Sequence, residues 1–368
     1  HPTVCTKLLL MGFQLLELDF TDLLHSPWGY NPLRFIRYDM ERECWNEQDI
    51  ITVAAALVPV EDKTQPFWEY AARNLLEALI GYTLECLPAE EHDLTSVARL
   101  FSEAETWVLD ELMRELCAID PASFTAMRWK GIQTCRRADK MYGSVLGILA
   151  QKISNFSFSG AQEMFINPNQ VDFAAISHTP TAVFVRVSDN DFSLNNLTSL
   201  FYTQALQIFM AEADSRPDGR LQIPVRLYLD DFANLNIPDI DKTISVIRSR
   251  EISVSIAIQS ITQLEGLYGH AKAVTIIDNC DHLLYLGGQS VETARFIAVK
   301  ANKPASAILN MPLGKAWLFE RGNAPREVKK YDLTRHPLYH QLPEYRARAV
   351  PEQERVRQHG PEQAAAGY

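Results

Sequence analysis

Cysteine is scarce in this sequence, and its copies are scattered. No two of the six form a C-x-x-C pair, and no histidines stand at the spacing of a zinc motif. Disulfide frameworks and structural zinc sites both depend on such patterns, so neither class describes this chain well. A reducing cytoplasm is the simplest environment for it. The cysteines are Cys5, Cys44, Cys86, Cys117, Cys135 and Cys280.

Positive charge is also in short supply. Lysine and arginine total 35 against 46 aspartate and glutamate residues, which gives a formal net charge of −11 and an isoelectric point near 5.4. This balance argues against non-specific coating of nucleic acid or of an anionic membrane by the whole surface, although it permits a local basic groove. At 368 residues, with 47% hydrophobic and 22% charged residues, the composition is that of an ordinary globular protein.

Long apolar runs and a starting methionine are absent as well. No run approaches the ~18 residues that a membrane-spanning helix needs, and the N-terminus has no signal peptide. The sequence opens with His1-Pro2. We therefore expect a fragment or a processed product, with any membrane anchor lying upstream of it.

The phosphate-binding motif G-x-x-x-x-G-K-[ST] occurs nowhere in the sequence. In that motif the backbone amides and the lysine cradle the β- and γ-phosphates of a nucleotide. The nearest approach is Leu313-Gly-Lys-Ala316, which lacks the upstream glycine and the hydroxyl residue. Within these 368 residues, the sequence supplies no loop of this kind.

What the sequence does contain is an apolar run that ends in two carboxylates. Residues 225–229 predict a buried parallel strand, and α/β folds place ligands at the C-terminal ends of such strands. In P-loop NTPases an acid at this position helps to hold the Mg2+ on the nucleotide. Asp230 is the candidate for that acid, and Asp231 for the neighbouring acid that polarises the attacking water. A carboxylate that merely caps the next helix explains the same residues, so both interpretations stand.

Predicted strands and helices alternate on both sides of a purely helical stretch. Residues 62–155 show helical patterns throughout, whereas strand patterns precede and follow them. An all-helical insertion into an α/β domain explains this change of period. Strands joined by helices imply a mostly parallel sheet. We therefore expect an α/β domain formed by residues 1–61 and 156–335, the insertion 62–155, and a flexible tail 336–368.

Two windows of the helical stretch could contact a ligand, and each also has a plainer explanation. The aromatic pair Phe67-Trp68 stands at the start of a helix, where core packing is the simpler interpretation. The most basic window surrounds Trp129, and there base stacking and phosphate contacts would suit a nucleic-acid groove. A solvated helix face explains the same charges. The candidate phosphate contacts are Arg136, Arg137 and Lys140.

Several short motifs, each weak alone, occur in a specific order. Together they resemble the conjugative type IV coupling proteins, the TraG-like DNA-transfer ATPases of type IV secretion systems, over about residues 1–335. The motifs are Tyr30-Asn-Pro32, Pro66-Phe-Trp68, Asp189-Asn-Asp191, Leu229-Asp-Asp-Phe-Ala-Asn234, Ile247-Arg-Ser-Arg-Glu-Ile-Ser253, Gln259-Ser-Ile-Thr-Gln-Leu264, Asn279-Cys-Asp281 and Leu284-Tyr-Leu-Gly-Gly288.

The resemblance implies a RecA-like P-loop NTPase core with an all-α inserted domain. It also implies a homo-hexameric ring at the cytoplasmic face of the cell membrane, held there through an N-terminal anchor. Such proteins bring single-stranded DNA with its bound relaxase to the channel proteins of the secretion system, and they hydrolyse ATP with Mg2+.

Carried over to this sequence, the resemblance assigns four residues to the nucleotide site. Asp230 would be the Mg2+ acid and Asp231 the catalytic acid. Gln259 would sense the γ-phosphate, and Arg248 would be an arginine finger that reaches a neighbouring subunit. Arg250 is the alternate finger.

Two departures from the family leave the activity open. The family usually has glutamate where Asp231 stands, and the phosphate-binding motif is missing. Three hypotheses follow. The chain is a segment of a DNA-translocating ATPase, a non-catalytic subunit that docks secretion substrates beside a degenerate nucleotide site, or an unrelated hydrolase whose two adjacent aspartates bind a metal ion.

Overall fold

The computed structural model describes residues 2–60, 64–104, 106–136, 139–188, 190–191, 193–230, 232–337 and 339. The chain forms two compact units. The smaller comprises His1–Phe13, Ser260–Thr262 and Ile277–Tyr368, and the larger comprises Gln14–Gln259 and Gln263–Ile276.

Parallel strand pairs form the sheet structure of the larger unit, as the alternation of strands and helices predicts. β1 pairs with β4, with Gln14 opposite Thr181, and β5 pairs with β6, with Val225 opposite Ile252. A short antiparallel hairpin joins β2 and β3. The strands are β1 (Gln14–Asp19), β2 (Tyr38–Asp39), β3 (Cys44–Trp45), β4 (Thr181–Arg186), β5 (Val225–Leu229) and β6 (Ile252–Ile256).

Helices supply most of the remaining structure of the larger unit. Several begin at a side chain that accepts a hydrogen bond from the first turn, as Asn46, Asp93 and Thr106 do. The helices are α2 (Glu47–Leu57), α3 (Phe67–Cys86), α4 (Leu94–Ser102), α5 (Trp107–Ile119), α6 (Phe124–Arg136), α7 (Asp139–Ile153), α8 (Ser159–Ile166), α9 (Phe173–Ile176), α10 (Asn195–Asp214) and α11 (Ile240–Val246). Two more helices, α12 (Ile261–Tyr268) and α13 (His270–Asp278), each have residues in both units.

The long helix α3 is the centre of the helical stretch. Its Leu75, Leu76 and Leu79 side chains are fully buried. Gly81 lets α6 approach closely, because a Cβ at this position would collide with Thr125 Oγ1. The predicted insertion thus corresponds to α3 through α7, and only helical elements are found among its described residues. Its division from the rest of the chain as a separate domain stays a prediction.

Aromatic rings fill the core beneath β1 and β4. Tyr30 is completely buried, and its ring lies 5.1 Å from that of Phe201 in an edge-to-face arrangement. Phe173 packs against the same ring of Phe201. The Tyr30 hydroxyl donates a hydrogen bond to Gln204 Oε1 at 2.5 Å. Residues far apart in the chain therefore share one core.

The smaller unit contains an antiparallel sheet with the order β7–β8–β9. β8 and β9 are joined by residues 321–325, a connection too short for a parallel crossover, and Gly322 there has a φ of +82°. The sheet of this unit is therefore antiparallel, whereas the alternation of strands and helices predicts a mostly parallel one. The elements of this unit are α1 (Pro2–Leu10), β7 (His282–Tyr285), α14 (Val291–Ala301), α15 (Ala305–Leu309), β8 (Lys315–Glu320) and β9 (Arg326–Lys329).

Candidate functional site

Asp230 and Gln259 follow neighbouring parallel strands and lie at the same edge of the sheet. The Ala257 amide donates to the Leu229 carbonyl at 3.0 Å, so the strand pairing continues up to Asp230. Both candidate side chains are exposed. The carboxyl edge of β5 and β6 thus offers an accessible carboxylate and an accessible amide. Asp231, the second predicted acid, lies outside the described residues.

The β5 strand is less buried than its apolar sequence predicts. Tyr228 is 74% exposed, and Arg226, Ser253 and Ser255 on the same face of β5 and β6 are exposed as well. Leu229, on the opposite face, is buried. The expectation of a strand buried on both faces is therefore wrong, because only one face of this strand pair packs against the unit's interior.

The loop after Asp230 is held firmly to the protein interior. The Phe232 amide donates to the Ala257 carbonyl at 3.1 Å, and the Phe232 ring stacks on Tyr268 with 5.5 Å between ring centroids. Farther along, Asp239 adopts a left-handed conformation with φ of +50° and pairs with Lys242 at 3.0 Å. The hydrogen bond from Lys242 lowers the pKa of the Asp239 carboxyl. Tyr268 lies outside the quoted motifs and looks like an ordinary core residue. Phe232 lies within Leu229-Asp-Asp-Phe-Ala-Asn234, but the sequence assigns it no role.

Arg248 lies at the opposite edge of the strand pair. It belongs to a short 3-10 turn, Arg248–Arg250, that leads into the N-terminal end of β6. The five residues of β6 separate this turn from the carboxyl edge by roughly 17 Å at the rise of an extended chain. The structure therefore does not bring Arg248 to Asp230 of the same chain.

Arg248 lines an open cavity of about 720 Å3 that also contains Arg220, Arg250 and Glu251. Arg250 is fixed by a two-pronged ion pair with Asp214, with distances of 2.8 and 3.0 Å. The hydrogen bond that Arg250 donates to Asp214 raises the pKa of Arg250. Glu251 pairs with Arg220 at 3.3 Å. This edge is thus rich in arginine although the chain as a whole is acidic.

The basic window of the helical stretch has a structural explanation for its central arginine. Arg136 forms an ion pair with Asp110, and its guanidinium lies over the rings of Trp129, at 5.4 Å, and Tyr142, at 4.9 Å. Trp129 is only 5% exposed, so its ring is not available for base stacking. Lys140 is exposed, whereas Arg137 lies outside the described residues.

The aromatic pair Phe67-Trp68 at the start of α3 is more exposed to solvent than a pair packed in the core would be. Phe67 is 51% exposed and Trp68 is half-buried. The two rings contact each other edge to face, with 5.3 Å between centroids. The expectation that Phe67 packs in the core is therefore wrong.

Asp230 offers one accessible carboxylate to a metal ion at this site. No group of three or more histidine, cysteine, aspartate or glutamate side chains that could hold a metal ion occurs in the described ranges. Mg2+ in nucleotide sites is typically held by one or two carboxylates together with substrate phosphates, so the exposed Asp230 fits that arrangement. Lys315, the lysine of the sequence that comes nearest to the phosphate-binding motif, does not fit the role of the motif's lysine. It begins β8 and forms an ion pair with Glu327.

No helix in the described part of the chain has both the length and the apolar character needed to cross a membrane.

Comparison with known proteins identifies both a family and a fold. The profile of the family described as "Type IV secretory system Conjugative DNA transfer" matches residues 3–301. No curated protein sequence matches at a significant level.

Solved structures share the fold at low sequence identity. The bacterial conjugative coupling protein TrwBdeltaN70 is 15% identical, over 88% of this chain and 79% of that one, with a TM-score of 0.64. The plasmid coupling protein TrwB in complex with ADP and Mg2+ is 16% identical, over 89% and 82%, with a TM-score of 0.63. VirB4 of Thermoanaerobacter pseudethanolicus is 13% identical, over 92% and 86%, with a TM-score of 0.50.

Proposed function

The chain belongs to the type IV secretory system conjugative DNA transfer family, and on that premise we propose that it is part of a coupling ATPase that brings relaxase-bound single-stranded DNA to a secretion channel. One observation carries the proposal. An accessible Asp230 and an accessible Gln259 share the carboxyl edge of β5 and β6, within a fold that resembles TrwB crystallised with ADP and Mg2+.

The carboxyl edge would hold the nucleotide's phosphates and their metal ion. When bound, Mg2+ neutralises charge on the phosphate oxygens. Asp230 supplies a carboxylate oxygen for it, and Asp231 orients the attacking water and accepts its proton. The Gln259 amide reaches the γ-phosphate from the neighbouring strand. The backbone pairing of Leu229 with Ala257 keeps these two strand ends at the same level.

Arg248 acts in trans under this proposal. It stands at the edge opposite Asp230, so its partner is the nucleotide of a neighbouring subunit. An arginine finger contributes roughly 10^3- to 10^5-fold in rate in P-loop enzymes, because it stabilises charge that develops in the transition state. Arg250 is the weaker candidate, since its guanidinium is already engaged by Asp214.

The trans role of Arg248 requires a ring, and we propose a homo-hexamer at the cytoplasmic face of the cell membrane. Its partners are DNA with bound relaxase and the channel proteins of the secretion system.

A second candidate function is a non-catalytic subunit that docks secretion substrates. The observation that favours it is the absence of G-x-x-x-x-G-K-[ST] from these 368 residues. These residues therefore lack the backbone amides and the lysine that this motif supplies to the phosphates.

The test compares this chain with the protein as its gene encodes it. The chain alone is expected to bind Mg-ATP weakly and to show no turnover above an Asp230→Asn variant. In the gene-encoded protein, Asp230→Asn is expected to abolish nearly all hydrolysis, whereas the matched change at the exposed Asp218 leaves it intact. Surviving hydrolysis would reduce Asp230 to a structural cap. A gene-encoded protein that binds relaxase without hydrolysing ATP would support the docking subunit.

Mixing variants tests the finger in the same preparation. Arg248→Ala and Asp230→Asn proteins are each expected to be inactive alone. Mixed rings should regain activity wherever an intact Asp230 site meets an intact arginine. If Arg248→Ala alone keeps wild-type turnover, or if mixing recovers nothing, the trans assignment is wrong.

A further inference from the structure

The segment that follows Asp230 is tied to α12 by one hydroxyl group. Tyr268, the last residue of α12, donates a hydrogen bond to the Leu235 carbonyl, and its oxygen accepts one from the Ile237 amide at 3.2 Å. Leu235 and Ile237 are both buried, so neither backbone group has easy access to water. The Tyr268 side chain thus satisfies two backbone groups of the loop at once.

The Tyr268 ring also contacts the same loop at a second point, Phe232, which is nearer to Asp230 in the sequence. It stacks on Phe232 with a 14° angle between the ring planes, and Phe232 is completely buried. The Phe232 amide in turn donates to Ala257 on β6. Phe232 is therefore fixed through both its ring and its backbone, two residues beyond Asp230.

The position of Phe232 determines how the strand end leaves the sheet. Only one residue stands between Asp230 and Phe232, so a shift of Phe232 moves the Asp230 backbone with it. α12 begins two residues after Gln259 and ends at Tyr268. α12 therefore begins next to Gln259 and, through Tyr268 at its other end, contacts the loop that follows Asp230.

We propose that Tyr268 is a positioning residue for Asp230, holding the loop from Phe232 to Ile237 so that the carboxylate faces the metal ion on a bound nucleotide. This inference rests on the proposed function, because it assumes that Asp230 serves that metal ion. Tyr268 itself touches neither nucleotide nor metal. Its burial, which raises the pKa of its hydroxyl, keeps that hydroxyl protonated and able to donate.

The test replaces Tyr268 by phenylalanine in the gene-encoded protein. The ring stack on Phe232 is retained, but the Leu235 carbonyl and the Ile237 amide lose their partner. Because loss of a group that orients a metal-binding side chain typically costs about 10- to 100-fold in metal affinity or activity, Tyr268→Phe is expected to raise the Mg2+ concentration for half-maximal hydrolysis about tenfold.

Tyr30→Phe is the matched control. It also removes a buried hydroxyl, the one that donates to Gln204, at a place away from the Asp230 loop. It is expected to lower the thermal unfolding midpoint without changing the Mg2+ dependence. Phe232→Leu is a second variant of the loop, which keeps both Tyr268 hydrogen bonds and removes the stack. It should shift the Mg2+ dependence in the same direction as Tyr268→Phe.

The outcomes separate the inference from the proposed function. If Asp230→Asn abolishes hydrolysis while Tyr268→Phe and Phe232→Leu keep the Mg2+ dependence of Tyr30→Phe, the positioning role is wrong and the proposed function stands. If Asp230→Asn changes neither turnover nor Mg2+ dependence, the metal-binding role that the proposed function gives Asp230 fails, and Tyr268 has no metal-binding group to position.

Discussion

Replacing Arg136 by alanine is expected to lower the free energy of unfolding by about 2–3 kcal/mol. Two cation–π contacts, with Trp129 and Tyr142, contribute roughly 0.5–1 kcal/mol each. The charged hydrogen bond to Asp110 adds about 1 kcal/mol, below the usual range for bonds between charged groups, because the Asp110 side chain is partly solvated. The Arg136 side chain is only 20% exposed, so its truncation also leaves unfilled space.

Arg114→Ala is the matched control for this change. Arg114 lies on α5 and is 67% exposed, and it pairs with Glu111 one helical turn away. An exposed pair of this kind contributes about 0–1 kcal/mol, so the control should remain close to the wild type. Urea unfolding followed by far-ultraviolet circular dichroism measures both variants, and the Arg136→Ala/Asp110→Ala double-mutant cycle isolates the ion pair.

A DNA-binding measurement on the same variants decides between structure and recognition. If Arg136 is held for stability, Arg136→Ala leaves the salt dependence of oligonucleotide binding unchanged, and only the exposed Lys140 remains available among the described basic candidates. The reasoning is refuted if Arg136→Ala unfolds like Arg114→Ala while the slope of log affinity against log salt falls by about 0.7, the value for one lost contact to single-stranded DNA.

Two further predictions concern the stability of the helical stretch. Gly81→Ala is expected to destabilise the protein by about 1–3 kcal/mol, because the new methyl group would collide with Thr125. Gly143 has open space around it, so Gly143→Ala should stabilise the protein by about 0.5–1 kcal/mol. Equal urea midpoints for the two variants would contradict both expectations. Burial raises the pKa of the Asp93 carboxyl, although that carboxyl accepts a hydrogen bond from the Ser96 amide. The contribution of Asp93 to stability therefore falls as the pH rises above the ordinary pKa of an aspartate. Asp93→Asn should therefore gain stability relative to the wild type between about pH 4 and pH 7, and parallel pH profiles of the urea midpoint would contradict this.

The order of secondary structure could be read from the sequence because periodicity is a local property of the chain. The apolar run before Asp230 predicted β5, which pairs in parallel with β6. The parallel pairing of these strands then brings their carboxyl ends to one edge, as strand geometry requires. The order of short motifs identified the family, which the match over residues 3–301 confirms. The catalytic roles of the site residues stay predictions.

Burial, in contrast, was decided by partners that are distant in sequence. Tyr228 looked like part of a buried strand, yet one face of β5 is open, since no periodicity reveals which faces find a partner. Phe67 looked like a core residue and is exposed for the same reason.

The sequence by itself thus determined the order of the elements, the edge where Asp230 stands, and the family. Only the tertiary structure decided what each side chain contacts. From the sequence alone, Arg136 is one more charge in a basic helix. The structure places Asp110, 26 residues earlier, beside it. Tyr268 reads as a core aromatic until its hydroxyl meets Leu235, 33 residues earlier. Such contacts arise from packing between elements, and the local pattern that specifies an element carries no information about which other element will face it.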